Sequence, residues 1–174
     1  MQIYKILSVL LEYPEEELIE SLPEIRSILN DSTEIDAAEK VALRKFLDYL
    51  VSMPLTELQA YYVRTFDSTP EHSLHLTHHL FGDESDRERG PALIDLGEMF
   101  KEYGVTTVTN ELPDYLPLLL EFASHLEENE AMVFLSDVNK VLNTLIDNLT
   151  KANSPYAAPL SIIESRATLT RLAA

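Results

Sequence analysis

Cysteine is missing from all 174 residues. Disulfides, thiolate nucleophiles and zinc–thiolate centres are thereby excluded. Glycine is almost as scarce, with 4, and there is neither a Gly-x-Gly-x-x-Gly nor a Walker-type loop to cradle a phosphate. A Gly-x-Ser-x-Gly elbow for a serine nucleophile is absent too. Positive charge is short: 13 Lys and Arg face 30 Asp and Glu, a net charge of -17. Such a chain repels phosphate, which excludes nucleic acid as a partner. No apolar run approaches the ~20 residues that cross a bilayer. The start, Met1-Gln2-Ile3-Tyr4-Lys5, lacks the basic and apolar regions of a secretion signal. The expected location is the cytoplasm, without membrane insertion. Paired carboxylates carry no weight in so acidic a chain, so nothing supports an enzyme and no cofactor of its own is expected.

The residues that are present favour helices. Hydrophobic residues make up 45% and charged residues 25%, ordinary for a globular protein. Ile3, Ile6, Leu7, Leu10 and Leu11 repeat at helical spacing up to Tyr13-Pro14. A second helix opens on Glu15, Glu16 and Glu17, whose charge suits a helix start. Its buried side is Leu18, Ile19, Leu22, Ile25, Ile28 and Leu29, with Pro23 as a kink or restart. A third helix is expected from Glu34 to Val51, with Val41, Phe46, Leu47 and Leu50 inward. A fourth is expected over 56–67, where Leu58, Tyr62 and Phe66 share a face. Shorter helices follow over 73–81, ending at Gly82, and from the Ser85-Asp86-Arg87-Glu88 capping box to Tyr103, ending at Gly104. Val105 to Thr109 reads as an extended linker. Two more helices occupy 113–126 and 130–150, the latter with Val133, Phe134, Val138, Val141, Leu142, Leu145 and Ile146 inward. The expected fold is all-α: a single bundle of seven to nine helices over 1–152, followed by a flexible or weakly helical tail over 153–174. That tail carries Lys151, Arg166 and Arg171 at or near it, against Glu164 alone. With Ile162, Ile163 and Leu169 it crudely imitates a basic amphipathic ligand; a plain flexible end is the other reading.

Three clusters stand out. In Glu111-Leu112-Pro113-Asp114-Tyr115-Leu116-Pro117, two prolines and two acids crowd the head of an apolar run. Prolines suit a helix's first turn, where the missing N–H costs little, and Asp114 suits its positive end. Ordinary capping needs one of each, so the excess suggests a rigid acidic corner. His72, His75, His78 and His79 include an i, i+4 pair able to hold metal, without His-Glu-x-x-His or a defined third ligand. A polar helix face is the alternative. Tyr62 and Phe66 lie one turn apart with Asp67 after them. Arg87 and Arg89 sit at a helix start, the wrong sign for its dipole, which calls for carboxylate partners that serve packing or orient a groove.

Taken in order, Tyr62-x-x-x-Phe66-Asp67, Glu84-Ser85-x-x-x-Arg89-Gly90-x-Ala92-Leu93 and Glu111 to Pro117, with Leu11-Glu12-Tyr13-Pro14 near the start, make the chain resemble the TorD/DmsD/NarJ-like molybdoenzyme assembly chaperones, specifically their nitrate reductase branch. The likeness runs over about 1–150. It implies an all-helical, non-catalytic protein. Such proteins bind the amino-terminal segment of the respiratory nitrate reductase catalytic (alpha) subunit and hold the apoenzyme ready for molybdenum cofactor and iron–sulfur cluster insertion. They also delay membrane docking. The cofactors are the client's. A monomer is expected, with a dimer as the alternative. Tyr115 stands where the family carries His; a phenol, with pKa near ~10, stays neutral in the cell and leaves hydrogen bonding without a proton switch. The implied peptide-binding residues are Tyr62, Phe66, Asp67, Arg89, Glu111, Pro113, Asp114, Tyr115 and Leu116. Tyr62, Phe66, Tyr115 and Leu116 are expected to form an apolar floor, and Asp67, Glu111 and Asp114 an acidic rim. A chaperone of the same fold for a dimethyl-sulfoxide or trimethylamine-oxide reductase, and a metal-dependent hydrolase built on the histidines, are the alternatives.

Overall fold

The computed structural model describes residues 1–81, 88–105 and 111–168, and its described residues form ten α-helices. They are α1 (Gln2–Leu11), α2 (Glu16–Asp31), α3 (Ala37–Leu50), α4 (Leu55–Tyr62), α5 (Leu76–Phe81), α6 (Arg89–Glu102), α7 (Leu116–Ser124), α8 (Glu128–Ser136), α9 (Asn139–Lys151) and α10 (Ala157–Ala167). The all-α expectation holds. The helices number one more than the upper expectation because the 130–150 pattern breaks at Asp137 and Val138 and because 157–167 is a regular helix. Among the described residues no helix is long and apolar enough to cross a membrane. Gly82, Ser85 to Arg87, Thr106 to Thr109 and Leu169, all used in the sequence reading, lie outside the described residues.

The centre is α7. Its Leu116, Leu119, Leu120, Phe122 and Ala123 are all buried, and each large side chain so buried contributes about 1.5–3 kcal/mol. Helix α1 runs antiparallel along it, inserting Ile3, Leu7 and Leu10. Three polar ties fasten the pair: the Met1 ammonium to the Ser124 carbonyl, Lys5 to Glu121, and the Ser8 hydroxyl to the Pro117 carbonyl at 2.7 Å.

Several local expectations change. Helix α2 runs unbroken through Pro23. In α3 the capping box at Asp36 and Glu39 sets the phase, so Leu43 joins Phe46, Leu47 and Leu50 inside while Val41 is exposed. Val133 is likewise exposed; Ala131, Met132 and Leu135 are the buried side chains of α8. The helix expected over 56–67 is α only to Tyr62. A π-helical turn, Val63–Asp67, then inserts an extra residue, with the Ser68 N–H bonded to the Val63 carbonyl. It keeps both Tyr62 and Phe66 buried, ring centroids 4.8 Å apart. Helix α7 begins later than expected: Pro117 sits in its first turn, but Pro113 and Asp114 precede it. Gly104 ends α6 at φ 73°, a left-handed conformation that glycine adopts without strain.

The carboxyl segment expected to be flexible or weakly helical instead packs into the bundle over 157–167. Helix α10 lies against α9, α8, α3 and α1. Its Leu160, Ile162, Ile163 and Ala167 are buried, so Ile162 and Ile163 are core residues and do not imitate a ligand. Arg166 is buried as well. Its guanidinium grips Glu39 with two bonds, of 2.7 and 2.6 Å, and donates to the Glu34 carbonyl at 2.8 Å. Burial opposes the guanidinium's charge, but the bonds and attraction of Glu39 outweigh it and hold the Arg166 pKa above its ordinary value.

Candidate functional site

The segment ahead of α7 is held by backbone as well as side chains. Leu74 to Leu76 runs antiparallel to Asp114 to Leu116: the Leu116 N–H bonds the Leu74 carbonyl at 2.9 Å and the Leu76 N–H the Asp114 carbonyl at 3.1 Å. Asp114, 1% exposed, accepts from the Thr77 N–H at 3.0 Å, the Thr77 hydroxyl at 2.5 Å and His75 Nδ1 at 3.3 Å. Burial pushes its carboxyl up, but the bonds from His75 and Thr77 prevail and hold its pKa below the ordinary range. Arg89 Nε donates to the same Thr77 hydroxyl at 3.0 Å. The mis-signed arginine at the start of α6 is thus a packing device reaching Asp114 through Thr77. Asp114 anchors the first turn of α5 and the extended pairing, and it is not on a rim.

Tyr115 is the next link. The Tyr62 hydroxyl donates to the Leu11 carbonyl at 2.9 Å, and the two phenol oxygens lie 3.1 Å apart. Tyr62 has one proton and Leu11 takes it, so Tyr115 donates to Tyr62. Burial raises the Tyr115 pKa to about 12; the bond to Tyr62 offsets part of this, and Glu111, Glu12 and Asp67 add to it. Burial drives Tyr62 higher still. Both stay protonated, as hydrogen bonding without a switch requires. A histidine nevertheless stands beside Tyr115: the His75 ring is 5.1 Å away, and its Nε2 is 3.8 Å from Glu111.

The nine residues implied by the resemblance therefore separate. Tyr62, Phe66 and Leu116 are buried core, closed to a ligand as the chain stands. Asp114 and Arg89 are structural supports, and Pro113 is half-buried in the turn. Glu111 and Asp67 are exposed, and Tyr115 is half-exposed. Two other histidines of the cluster are committed elsewhere, His72 Nδ1 to the Thr65 carbonyl at 3.2 Å and His79 Nε2 to the Ser73 carbonyl at 2.8 Å, while the His78 ring stands edge-on to His79 at 5.9 Å. Among the described residues, no three potential ligands gather as a metal site.

Glu111 and Tyr115 open onto a cleft of about 520 Å³ between the end of α1, the start of α2 and α7. Its apolar lining is Val9, Tyr13, Leu18, Tyr115 and Leu118, and its acids are Glu12, Glu15, Glu17, Glu111 and Glu121. Tyr13 stands edge-on to Tyr62 at 5.6 Å, which ties this wall to the buried motif. The carboxyl of Glu12 titrates above its ordinary range, first through desolvation by the cleft walls and then through Glu121 and Glu15, with Lys5 opposing. Sequence reasoning missed most of this lining. Its signals were Leu11-Glu12-Tyr13-Pro14 and the run Glu15 to Glu17, which has more acid than a helix start needs.

A family model described as "Nitrate reductase delta subunit" matches residues 32–161. The chain belongs to that family. It is 34% identical over 158 residues to the nitrate reductase molybdenum cofactor assembly chaperone NarJ of Escherichia coli (strain K12), an alignment covering 91% of this chain and 66% of that protein. The probable nitrate reductase molybdenum cofactor assembly chaperone NarJ of Bacillus subtilis (strain 168) is 32% identical over 160 residues, 92% of this chain and 85% of that one. The nitrate reductase-like protein NarX of Mycobacterium tuberculosis (strain ATCC 25618 / H37Rv) is 27% identical over 161 residues, only 24% of its length. The chain thus spans just under two thirds of the Escherichia coli relative. Membership in the delta subunit family matches the resemblance carried by the motifs, and the motif residues are those that brace the wall of the cleft.

Proposed function

We propose that this chain is a non-catalytic, client-specific assembly chaperone of a respiratory nitrate reductase. It binds the amino-terminal segment of the catalytic subunit in the cytoplasm and keeps the apoenzyme open to molybdenum cofactor and iron–sulfur cluster insertion before membrane docking. Family membership supports the class of function. The observation that carries the binding reading is the cleft: five carboxylates around an apolar floor, in a protein of net charge -17. An amphipathic helix with cations beside its apolar stripe matches both features, and the field of the whole molecule speeds its approach. Val9, Tyr13, Leu18, Tyr115 and Leu118 form the floor, Glu111 belongs to the rim, and Asp67 contributes field. Tyr62, Phe66, Leu116, Pro113, Asp114 and Arg89 act by holding the wall in place. The working unit is a monomer.

Titrating the purified chain with a synthetic peptide of the client's amino-terminal segment tests this. Saturable binding that weakens steeply with added salt is expected, and replacing Leu118 by Asp should abolish it while α7 stays folded. Binding indifferent to both salt and Leu118→Asp, or no binding, would refute the assignment of the cleft.

A further inference from the structure

The ties between α1 and α7 form a ladder. Met1 meets Ser124, Lys5 meets Glu121 and Ser8 meets Pro117. Each step of three or four residues forward along α1 is a step of three or four back along α7, the spacing of one helix face against another. At every rung α1 supplies the donor and α7 the acceptor. The next step along α1 reaches Glu12, where the order fails. Glu12 is an acceptor, and it faces the cleft together with Glu111 and Glu121.

Five donors around the cleft are already engaged. Lys5 is bonded to Glu121. The Tyr115 proton goes to Tyr62 and the Tyr62 proton to Leu11. Gln59 Nε2 donates to the Pro14 carbonyl at 2.9 Å, and His75 faces Asp114 and Glu111. Glu12 makes no hydrogen bond or ion pair with any described residue. It also occupies the C-cap of α1, the negative end of that helix, where a carboxylate is unfavourable. Partial desolvation and repulsion from Glu121 and Glu15 add to the cost and together outweigh the attraction of Lys5. A side chain held against four unfavourable influences, with no internal partner, fits a function outside the fold.

We propose that Glu12 is the residue that reads a cation on the bound segment: one ammonium or guanidinium of the ligand enters the cleft and pairs with the Glu12 carboxylate. This rests on the cleft being the peptide seat. It separates Glu12 from Glu15 and Glu17, which contribute field without a fixed partner.

The test is a matrix of affinities by calorimetry. Wild type, Glu12→Gln and Glu17→Gln chains are titrated with the synthetic amino-terminal peptide of the client. The same chains are titrated with versions in which each Lys or Arg is replaced singly by norleucine and the terminal amine is acetylated. One neutralisation should weaken binding to wild type about tenfold, as a charge-assisted bond does. The same neutralisation should cost Glu12→Gln nothing, and should cost Glu17→Gln as much as it costs wild type. Free Glu12→Gln should melt no lower than wild type, because it loses no internal bond; a lower melting temperature would mark Glu12 as structural and overturn the proposal. If wild type binds but no neutralisation couples to Glu12, Glu12 is not the reader and the cleft assignment stands. If wild type binds no form of the peptide, the cleft assignment fails and this inference falls with it.

Discussion

Replacing Asp114 by Ala should destabilise the chain without acting through a ligand. The carboxylate is 1% exposed and accepts three bonds, two from Thr77 and one from His75. Removing it strands the Thr77 N–H in the interior at the head of α5 and loosens the Thr77 hydroxyl to which Arg89 donates. A buried donor without a partner costs about 1–3 kcal/mol, and bonds to a charged acceptor are worth more than neutral ones. A loss of about 3–4 kcal/mol follows. In a chain of this length each kcal/mol moves the melting temperature by about 2–4 °C, so a fall of roughly 6–16 °C is expected. Asp114→Asn, which keeps one acceptor oxygen but turns an amide toward the Thr77 donors, should lose about half as much. Chemical denaturation monitored by circular dichroism measures both.

The sign with pH is fixed by the direction of the shift. The folded carboxyl titrates below its ordinary value. Its stabilisation is therefore complete above the unfolded pKa, about 3.9, and is lost as pH falls through the folded pKa. The gap between wild type and Asp114→Asn should be constant from neutrality down to about pH 5 and narrow below pH 4. A loss under about 1 kcal/mol for Asp114→Ala, or a fall in peptide affinity without loss of stability, would refute the reasoning and return Asp114 to the rim.

Other perturbations have different signatures. Arg166→Met leaves Glu39 buried without its cation and should cost about 3–5 kcal/mol, whereas Arg166→Met with Glu39→Met should recover much of that; denaturation midpoints of the cycle decide. Phe66→Ala should cost about 3–5 kcal/mol as a core cavity, with the peptide affinity of the still-folded fraction unchanged, in contrast to a residue on the cleft floor. Tyr115→Phe removes the donor to Tyr62 and should cost about 1 kcal/mol. Its phenol titration should also disappear from the alkaline absorbance curve near pH 12, where burial places it.

The helical class and most of the buried stripe could be read from spacing alone. Ile3, Leu7 and Leu10 behave as their periodicity dictates because α1 turns only the narrow stripe through Gln2 and Lys5 to solvent. The misreadings have physical causes. Val41 and Val133 fit an apolar period but lie outside the phase set by the caps of their helices, which a residue-by-residue pattern does not register. The break between α8 and α9 has no Gly or Pro to announce it. Helix α10 looked weak because Pro155 and Pro159 precede its apolar residues and Arg166 sits among them. Its order comes from packing against α9, α8, α3 and α1 and from Glu39, 127 residues away along the chain, distances at which local reasoning sees nothing. The same limit governed the site. Glu111 to Pro117 was legible as an over-built corner, but whether Asp114 faced water or Thr77 depended on the pairing of 74–76 with 114–116.

That division between brace and surface has a consequence for recognition. Four of the motif residues, Tyr62, Phe66, Asp114 and Leu116, are buried, so changing any of them disturbs the fold. The cleft acids Glu12, Glu15 and Glu17 are exposed at the junction of α1 and α2, and α2 takes no side-chain capping bond from Glu15. Substitutions there should be nearly neutral for stability, within about 0.5 kcal/mol, yet each alters the charge pattern presented to a ligand. Selectivity for a client can therefore change at the α1–α2 junction while the brace stays fixed. A chain of this fold that serves a different client is expected to differ at positions 15 and 17 before it differs at 62, 66 or 114.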